Sequence, residues 1–195
     1  MPSIILVLII VPSYILLYSL DFVTSPYLTI KVIGKQWFWE YQISDFFILG
    51  KKQSFCFSQY MGRFSNSPNS SAFLKGTYRL LFSTVYLPLP LKLHIRFLVS
   101  SSDVLHSFSV PSLGLKIDAC PGRLNQVGSF INRKGIFYGQ CSEICGVGHA
   151  FMPIVIVCLE EFCDYIWYLE SSFGLLGKFK SIFWVITGLY FFKLN

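Results

Sequence analysis

Charged side chains are scarce in this chain. Asp, Glu, Lys and Arg make up 13% of its 195 residues, against roughly 25% in an ordinary soluble domain. Aromatic residues are abundant at 18%, which excludes a disordered chain because so much apolar surface cannot remain in water. Glycine and proline follow no period, so a collagen-like repeat is excluded as well. A protein attached to a membrane, or a subunit buried among partners, remains.

Long basic runs are also lacking. The net charge is +6, yet only Lys51-Lys52 and Arg133-Lys134 are adjacent basic pairs. Nucleic-acid binding requires a stripe of cations that can follow a phosphate backbone. The dispersed charge therefore indicates a solvated surface, and we expect no nucleic-acid partner.

The first segment, residues 1–24, contains no charged residue before Asp21. Residues 4–20 would form a helix about 26 Å long, close to the roughly 30 Å of a bilayer core. A cleaved signal peptide is the alternative, but the segment has neither a basic start nor a small-residue cleavage site. The pattern favours a transmembrane helix kinked at Pro12.

Residues 25–160 show short strand-like runs separated by Gly, Pro, Ser and Asn, which is typical of an all-β sandwich or barrel. In residues 91–99, apolar side chains alternate with Lys92, His94 and Arg96, so we expect one face of this strand to be buried and the other to be exposed to solvent. Further strands are predicted at 27–34, 36–43, 135–139 and 154–159. Residues 65–71 have the composition of a loop.

The final segment, residues 161–195, differs in composition from the β region. Acidic residues at its start and a mixed apolar face predict a helical extension. The apolar run at 181–192 would be only about 18 Å long as a helix, too short to span a bilayer. We expect it to lie at a membrane interface or on another subunit.

The loop GQCSEICGVGHAFMP, residues 139–153, concentrates metal-binding side chains. It contains Cys141, Cys145, His149 and Met152 at spacings of four, four and three. Thiolates and a thioether are soft ligands and imidazole is borderline, so the set favours copper over magnesium or calcium. The spacing therefore predicts a copper site.

Three other interpretations of this loop each leave part of its donor set without a role. Zinc would use two Cys and two His but would leave Met152 without a role. A blue-copper centre uses only one Cys, which leaves one cysteine unexplained. A disulfide between Cys141 and Cys145 would leave the flanking donors unused. A dinuclear copper centre, in which both thiolates bridge the ions, uses the whole set but needs a second histidine.

Histidine is rare, with three in the chain. His94 already has a place on the wet face of a strand, so His106 is the candidate partner of His149. It follows the strand that ends near Val99, as expected if a neighbouring loop completes the site. A histidine packed in the core is the alternative for His106.

Several segments resemble the cytochrome c oxidase subunit 2 family. SSDVLHSFSVPSLGLKIDACPGRLNQ (101–126) and YGQCSEICGVGHAFMPIVI (138–156) resemble its copper-binding halves. KVIGKQWFWEYQ (31–42) is similar to its aromatic segment, and 11–32 to its second transmembrane helix with the strand that follows. The resemblance covers most of residues 3–160.

The resemblance implies a cupredoxin-like Greek-key β-barrel that carries a dinuclear copper A centre. Cys141 and Cys145 would bridge the ions, and His106 and His149 would be terminal ligands. Met152 would be a weak ligand, and Glu143 would bind through its backbone carbonyl. The Glu143 carboxylate would also reach a magnesium ion at a subunit interface, and Trp37 would be the point of electron entry. Trp37, Phe38 and Trp39 could also be sheet core, at least in part.

The resemblance also implies partners and a location. Electrons would come from cytochrome c and pass to haem in the catalytic subunit 1, where oxygen is reduced. The chain would lie in the mitochondrial inner membrane with its copper domain in the intermembrane space; a bacterial plasma membrane is the less favoured alternative. The family's first transmembrane helix has no counterpart here, and we expect a separate chain to supply it. The rival functions are a copper-delivery factor and the copper domain of a nitrous-oxide reductase.

Overall fold

The computed structural model describes residues 2–21, 25–48, 51–62 and 78–159. The predicted loop at 65–71 and the predicted helical extension at 161–195 lie outside these ranges.

The apolar segment forms helix α1, Pro2–Asp21, close to the predicted 4–20. Its twenty residues extend about 30 Å, and its side chains are exposed along the whole length. Pro12 lies inside the helix, and the hydroxyl of Ser13 donates to the carbonyl of Ile9 at 2.8 Å. Within the described ranges, α1 is the one helix long and apolar enough to cross a membrane.

The described part of the remaining chain forms two five-stranded sheets with the orders β3-β2-β1-β5-β8 and β4-β10-β9-β6-β7. Most neighbours are antiparallel, but β1 pairs with β5 and β4 with β10 in parallel. The strands are β1 Leu28–Lys35, β2 Phe38–Ile48, β3 Lys51–Gln59, β4 Leu87–Pro90, β5 His94–Ser101, β6 His106–Val110, β7 Leu115–Ala119, β8 Asn125–Phe130, β9 Gly135–Cys141 and β10 Pro153–Leu159. An all-β domain after an N-terminal apolar helix is confirmed.

All five predicted strands are present, with bounds that differ by a few residues. The run at 91–99 begins as a strand only at His94, and the run at 36–43 begins at Phe38 and continues to Ile48. Residues 36 and 37 instead form the turn between β1 and β2. This turn is part of the site described below.

The core lies between the two sheets and is rich in aromatic rings. On β5, Ile95, Phe97 and Val99 have no exposed surface, as the alternation predicted. Phe108 of β6 meets the ring of Trp39 at 5.4 Å and that of Phe97 at 5.7 Å between centroids. Burial of large aromatic side chains dominates the stability of such a core.

Strand directions bring the metal-binding residues to one end of the domain. His106 is the first residue of β6 and Cys141 is the last residue of β9. These two strands pair directly, with Phe108 opposite Cys141. Gln140 of β9 faces Pro153, the first residue of β10, so Met152 lies at the same end.

Candidate metal centre

The two cysteine sulfurs form the middle of the site. The Sγ atoms of Cys141 and Cys145 lie 4.0 Å apart, and both cysteines are free thiols. A disulfide would bring them to about 2.05 Å, so the structure holds them as separate donors. Their separation is less than twice a metal–thiolate bond of roughly 2.3 Å. Both sulfurs can therefore bind the same ion.

Further donors surround each sulfur. Nδ1 of His106 lies 3.9 Å from the Cys141 sulfur, and the carbonyl oxygen of Glu143 lies 3.3 Å from it. Nδ1 of His149 and the thioether sulfur of Met152 lie 3.6 and 3.5 Å from the Cys145 sulfur. Each thiolate thus has its own imidazole, an arrangement that a single tetrahedral ion does not need.

Most of these donors are shielded from water. His106 has no exposed surface, and Cys141, Cys145 and Met152 are between 1% and 7% exposed. His149 is half-buried. A dry pocket of soft donors suits copper and limits the movement of water around a bound ion.

Backbone hydrogen bonds shape the ligand loop. The N–H of Ser142 donates to the carbonyl of Ser107 at 3.0 Å, which ties the loop to β6. The N–H of His149 donates to the carbonyl of Gly146 at 3.2 Å. Gly146 has φ +116°, a conformation that side chains rarely adopt. The sequence G-V-G-H therefore folds back tightly enough to bring His149 to Cys145.

Asp103 holds the imidazole of His106 from behind. Its carboxylate lies 2.8 Å from Nε2 of His106, and it accepts hydrogen bonds from the N–H groups of Gln36 and Val104 at 2.7 and 2.6 Å. Burial alone would raise the pKa of Asp103, but these hydrogen bonds lower it. The carboxylate therefore stays ionised and fixes Nδ1 toward the cysteines, as outer partners of metal-binding histidines commonly do.

The two thiols differ in acidity. Burial raises the pKa of Cys141, but hydrogen bonds with His106 and the backbone of Ser107 outweigh it and lower the pKa to about 7. Burial and the neighbouring charge of Cys141 raise the pKa of Cys145 to about 12. In the metal-free pair Cys141 ionises first, and a metal ion must displace the proton of Cys145.

The aromatic segment divides between surface and core. Trp37 is 38% exposed, and its indole N–H donates to the carbonyl of Cys145 at 3.2 Å. Trp39 is fully buried, and its N–H reaches the carbonyl of Met152 at 3.4 Å. Sheet core is therefore the correct interpretation for Trp39, whereas Trp37 joins the protein surface to the ligand loop.

The structure thus brings together His106, Cys141, Cys145, His149 and Met152, with the Glu143 carbonyl beside them. Residue Glu143 itself is exposed. His94 lies apart from the site, exposed on β5, and its ring packs at a tilt of 41° against Phe130 with 4.8 Å between ring centroids. Sequence reasoning missed the contacts of Asp103 and Gln36, whose only local signal was their closeness to His106 and Trp37 in the chain.

Comparison with known proteins identifies the family. Residues 28–159 match the family model described as cytochrome C oxidase subunit II, periplasmic domain. The chain belongs to this family. It is 50% identical over 173 residues to cytochrome c oxidase subunit 2 of Metridium senile, covering 88% of this chain and 65% of that protein. It is 52% identical over 157 residues to the mitochondrial subunit of Vigna unguiculata, covering 80% of this chain and 40% of that one.

A solved structure of the family has the same fold. The periplasmic domain of cytochrome oxidase subunit II from Bradyrhizobium japonicum superposes with a TM-score of 0.63 at 39% identity. The match covers 77% of this chain and 96% of that domain. The chain spans less than two thirds of the length of the subunit II relatives just named.

Proposed function

We propose that this chain is the electron-transfer subunit of a cytochrome c oxidase and holds a dinuclear copper A centre. Cys141 and Cys145 would hold both ions through their thiolates, and His106 and His149 would each supply an imidazole ligand. Met152 would be a weak ligand to one ion, and the Glu143 carbonyl would be a ligand to the other. One observation carries the proposal: two sulfurs lie 4.0 Å apart with a separate imidazole beside each.

When bound, such a centre would accept and release single electrons. The chain's own residues hold the donors in place, since Asp103 orients His106 and the donor atoms of His106, Cys141 and Cys145 are shielded from water. A donor set that moves little between redox states keeps the reorganisation during electron transfer small. The geometry of the ligand loop suits this role better than that of a delivery factor, which needs exposed and exchangeable donors.

Trp37 is the proposed site of electron entry from cytochrome c. One part of its indole is open to solvent, and its N–H bonds to the backbone of a bridging cysteine. With copper bound, the centre would supply these electrons to haem in the catalytic subunit, where oxygen would be reduced. The Glu143 carboxylate, exposed at the rim of the site, is proposed to bind magnesium at the boundary with that subunit, because magnesium prefers oxygen ligands.

We also propose the arrangement of the whole chain. Residues 1–24 anchor it in the mitochondrial inner membrane, residues 25–160 form a cupredoxin-like Greek-key barrel in the intermembrane space, and residues 161–195 form an extension. The membrane-length helix α1 and the mitochondrial origin of the Vigna relative support this location.

The test is electron paramagnetic resonance of the full chain loaded with copper in a lipid bilayer. The expected signal shows one unpaired electron shared by two copper nuclei, and Cys141→Ser removes it. Cys158→Ser is the matched control, because Cys158 is also a buried free thiol but is not among the donors around the site. Splitting by a single copper nucleus, or preferential binding of zinc when copper is supplied, would refute the proposal.

A further inference from the structure

The turn between β1 and β2 contacts two of the segments that carry metal ligands. Its first residue, Gln36, uses its backbone N–H to bond the carboxylate of Asp103 at 2.7 Å. The side-chain amide of the same residue donates to the carbonyl of Cys145 at 2.9 Å. Gln36 therefore connects the support of His106 with the backbone of a cysteine ligand.

The carbonyl of Cys145 has two donors, both from this turn. The second is the indole N–H of Trp37 at 3.2 Å. A carbonyl oxygen has two lone pairs, so these donors together satisfy it. Loss of the Gln36 amide would leave the Cys145 carbonyl with one of these two hydrogen bonds, the one from the Trp37 indole.

The ligand loop is shaped to receive this turn. A Cβ atom on Gly146 would lie 3.2 Å from the amide nitrogen of Gln36, and one on Gly148 would lie 2.3 Å from the Trp37 ring. The space left by the two glycines is thus occupied by Gln36 and Trp37. This close fit is a second observation, independent of the hydrogen bonds.

We propose that Gln36 is a positioning residue for the metal centre and for electron entry, an inference that rests on the proposed function. Its backbone restrains Asp103 and hence His106, and its side chain restrains Cys145. The same contacts hold Trp37 against the loop. Gln36 therefore keeps the entry point, a bridging cysteine and a terminal histidine in one fixed arrangement without binding metal itself.

Gln36→Met tests the side-chain part of this role, because methionine keeps a similar length and removes the N–H donor. The matched control is Gln42→Met, since Gln42 is a half-buried glutamine on β2 whose amide bonds Glu40 at 2.8 Å. Hydrogen exchange in the metal-free full chain is the first measurement. We expect amides of residues 141–149 to exchange about fivefold faster in Gln36→Met, the effect of losing one typical hydrogen bond, and not in Gln42→Met.

Copper-loaded protein provides the second measurement. Gln36→Met should retain both ions but change the hyperfine splitting, and electron entry should slow at saturating cytochrome c while the KM for cytochrome c stays constant. The proposal would be overturned if Gln36→Met and the parent had equal hydrogen-exchange rates at residues 141–149 and equal hyperfine splitting. If Gln36→Met does not fold, Gln36→Glu, which has the same shape but no N–H donor when ionised, is measured against the same criteria. A parent signal from a single copper nucleus would refute the proposed function instead, while the metal-free exchange still tests the restraint on the loop.

Discussion

The carboxylate of Asp103 lies 2.8 Å from Nε2 of His106 and thereby directs Nδ1 of the same ring toward the Cys141 sulfur. Asp103→Ala removes this restraint and leaves a fully buried imidazole without its partner. We expect copper affinity to fall about 10–100-fold, as is typical when an outer partner of a metal ligand is lost. Competition with a chelator measures it. Asp118→Ala, at an exposed carboxylate on β7, should have no effect; equal affinities in both variants would contradict the role of Asp103.

Gly148 is required because of Trp37. Its φ of −90° suits any residue, but an added Cβ would lie 2.3 Å from the Trp37 ring. Gly148→Ala should therefore destabilise the folded chain by about 1–3 kcal/mol and displace the indole. In the Trp37→Ala background, Gly148→Ala should lower the free energy of unfolding only slightly. A double-mutant cycle of unfolding free energies measures this coupling. Additive effects would show that the two residues do not compete for this space.

Trp37→Ala by itself separates electron transfer from binding. The indole joins the solvent-exposed surface to the Cys145 carbonyl, so its removal should slow electron entry while cytochrome c binding changes little. Stopped-flow reduction of the copper centre measures the rate, and its dependence on cytochrome c concentration gives the affinity. A loss of affinity with an unchanged limiting rate would assign Trp37 to docking alone.

Glu143 offers a test that separates its carbonyl from its carboxylate. Glu143→Gln preserves the backbone oxygen 3.3 Å from the Cys141 sulfur and removes only the side-chain charge. We expect an unchanged copper spectrum and lower occupancy of the proposed magnesium site in the assembled oxidase. Loss of the copper signal with the second metal retained would show that the carboxylate serves copper.

Lys35 and Glu40 form an ion pair of 2.7 Å across the β1–β2 turn. The hydrogen bond with Lys35 is the main cause that lowers the pKa of Glu40 below 4.5. The pair should therefore contribute fully to the free energy of unfolding above pH 4.5. This contribution should be lost as the pH falls through the pKa of Glu40 in the folded chain. Glu40→Gln should cost about 0.2–1 kcal/mol near neutral pH and nothing in strong acid. Thermal unfolding of the parent and of Glu40→Gln between pH 3 and 7 measures this. A difference in stability between the two that does not change with pH would contradict the prediction.

The sequence predicted those elements whose pattern comes from one buried face or from a long apolar run. Helix α1 and strand β5 are of this kind. Strand β6 was not predicted because Ser107 and Ser109 are buried along with the apolar side chains, so the usual alternation is hidden. Strand β4, Leu87–Pro90, contains two prolines, and proline within a run argues against a strand. Parallel pairing with β10 nevertheless holds this segment in a strand.

The metal donors were predictable because soft ligands are close in sequence and histidines are few. The residues that orient them were not. Gln36 bonds Asp103 across 67 positions of the chain and Cys145 across 109. Such contacts follow from the topology of the two sheets, which no local pattern encodes. For its contact with His106, Asp103 accordingly gave no signal beyond its place three residues earlier in the chain.

The pairing of β6 with β9 has a consequence for biogenesis. His106 and Cys141 are 35 residues apart, and only this pairing brings them together. A nascent or half-folded chain offers the cysteines and His149 without the buried histidine, so under the proposed function it would hold copper only loosely. In the proposed function the complete donor set forms only once β6 has paired with β9 within their sheet, and copper binding would then stabilise the folded form over the unfolded one. Acquisition of metal would thereby mark a chain in which the pairing of β6 with β9 is complete.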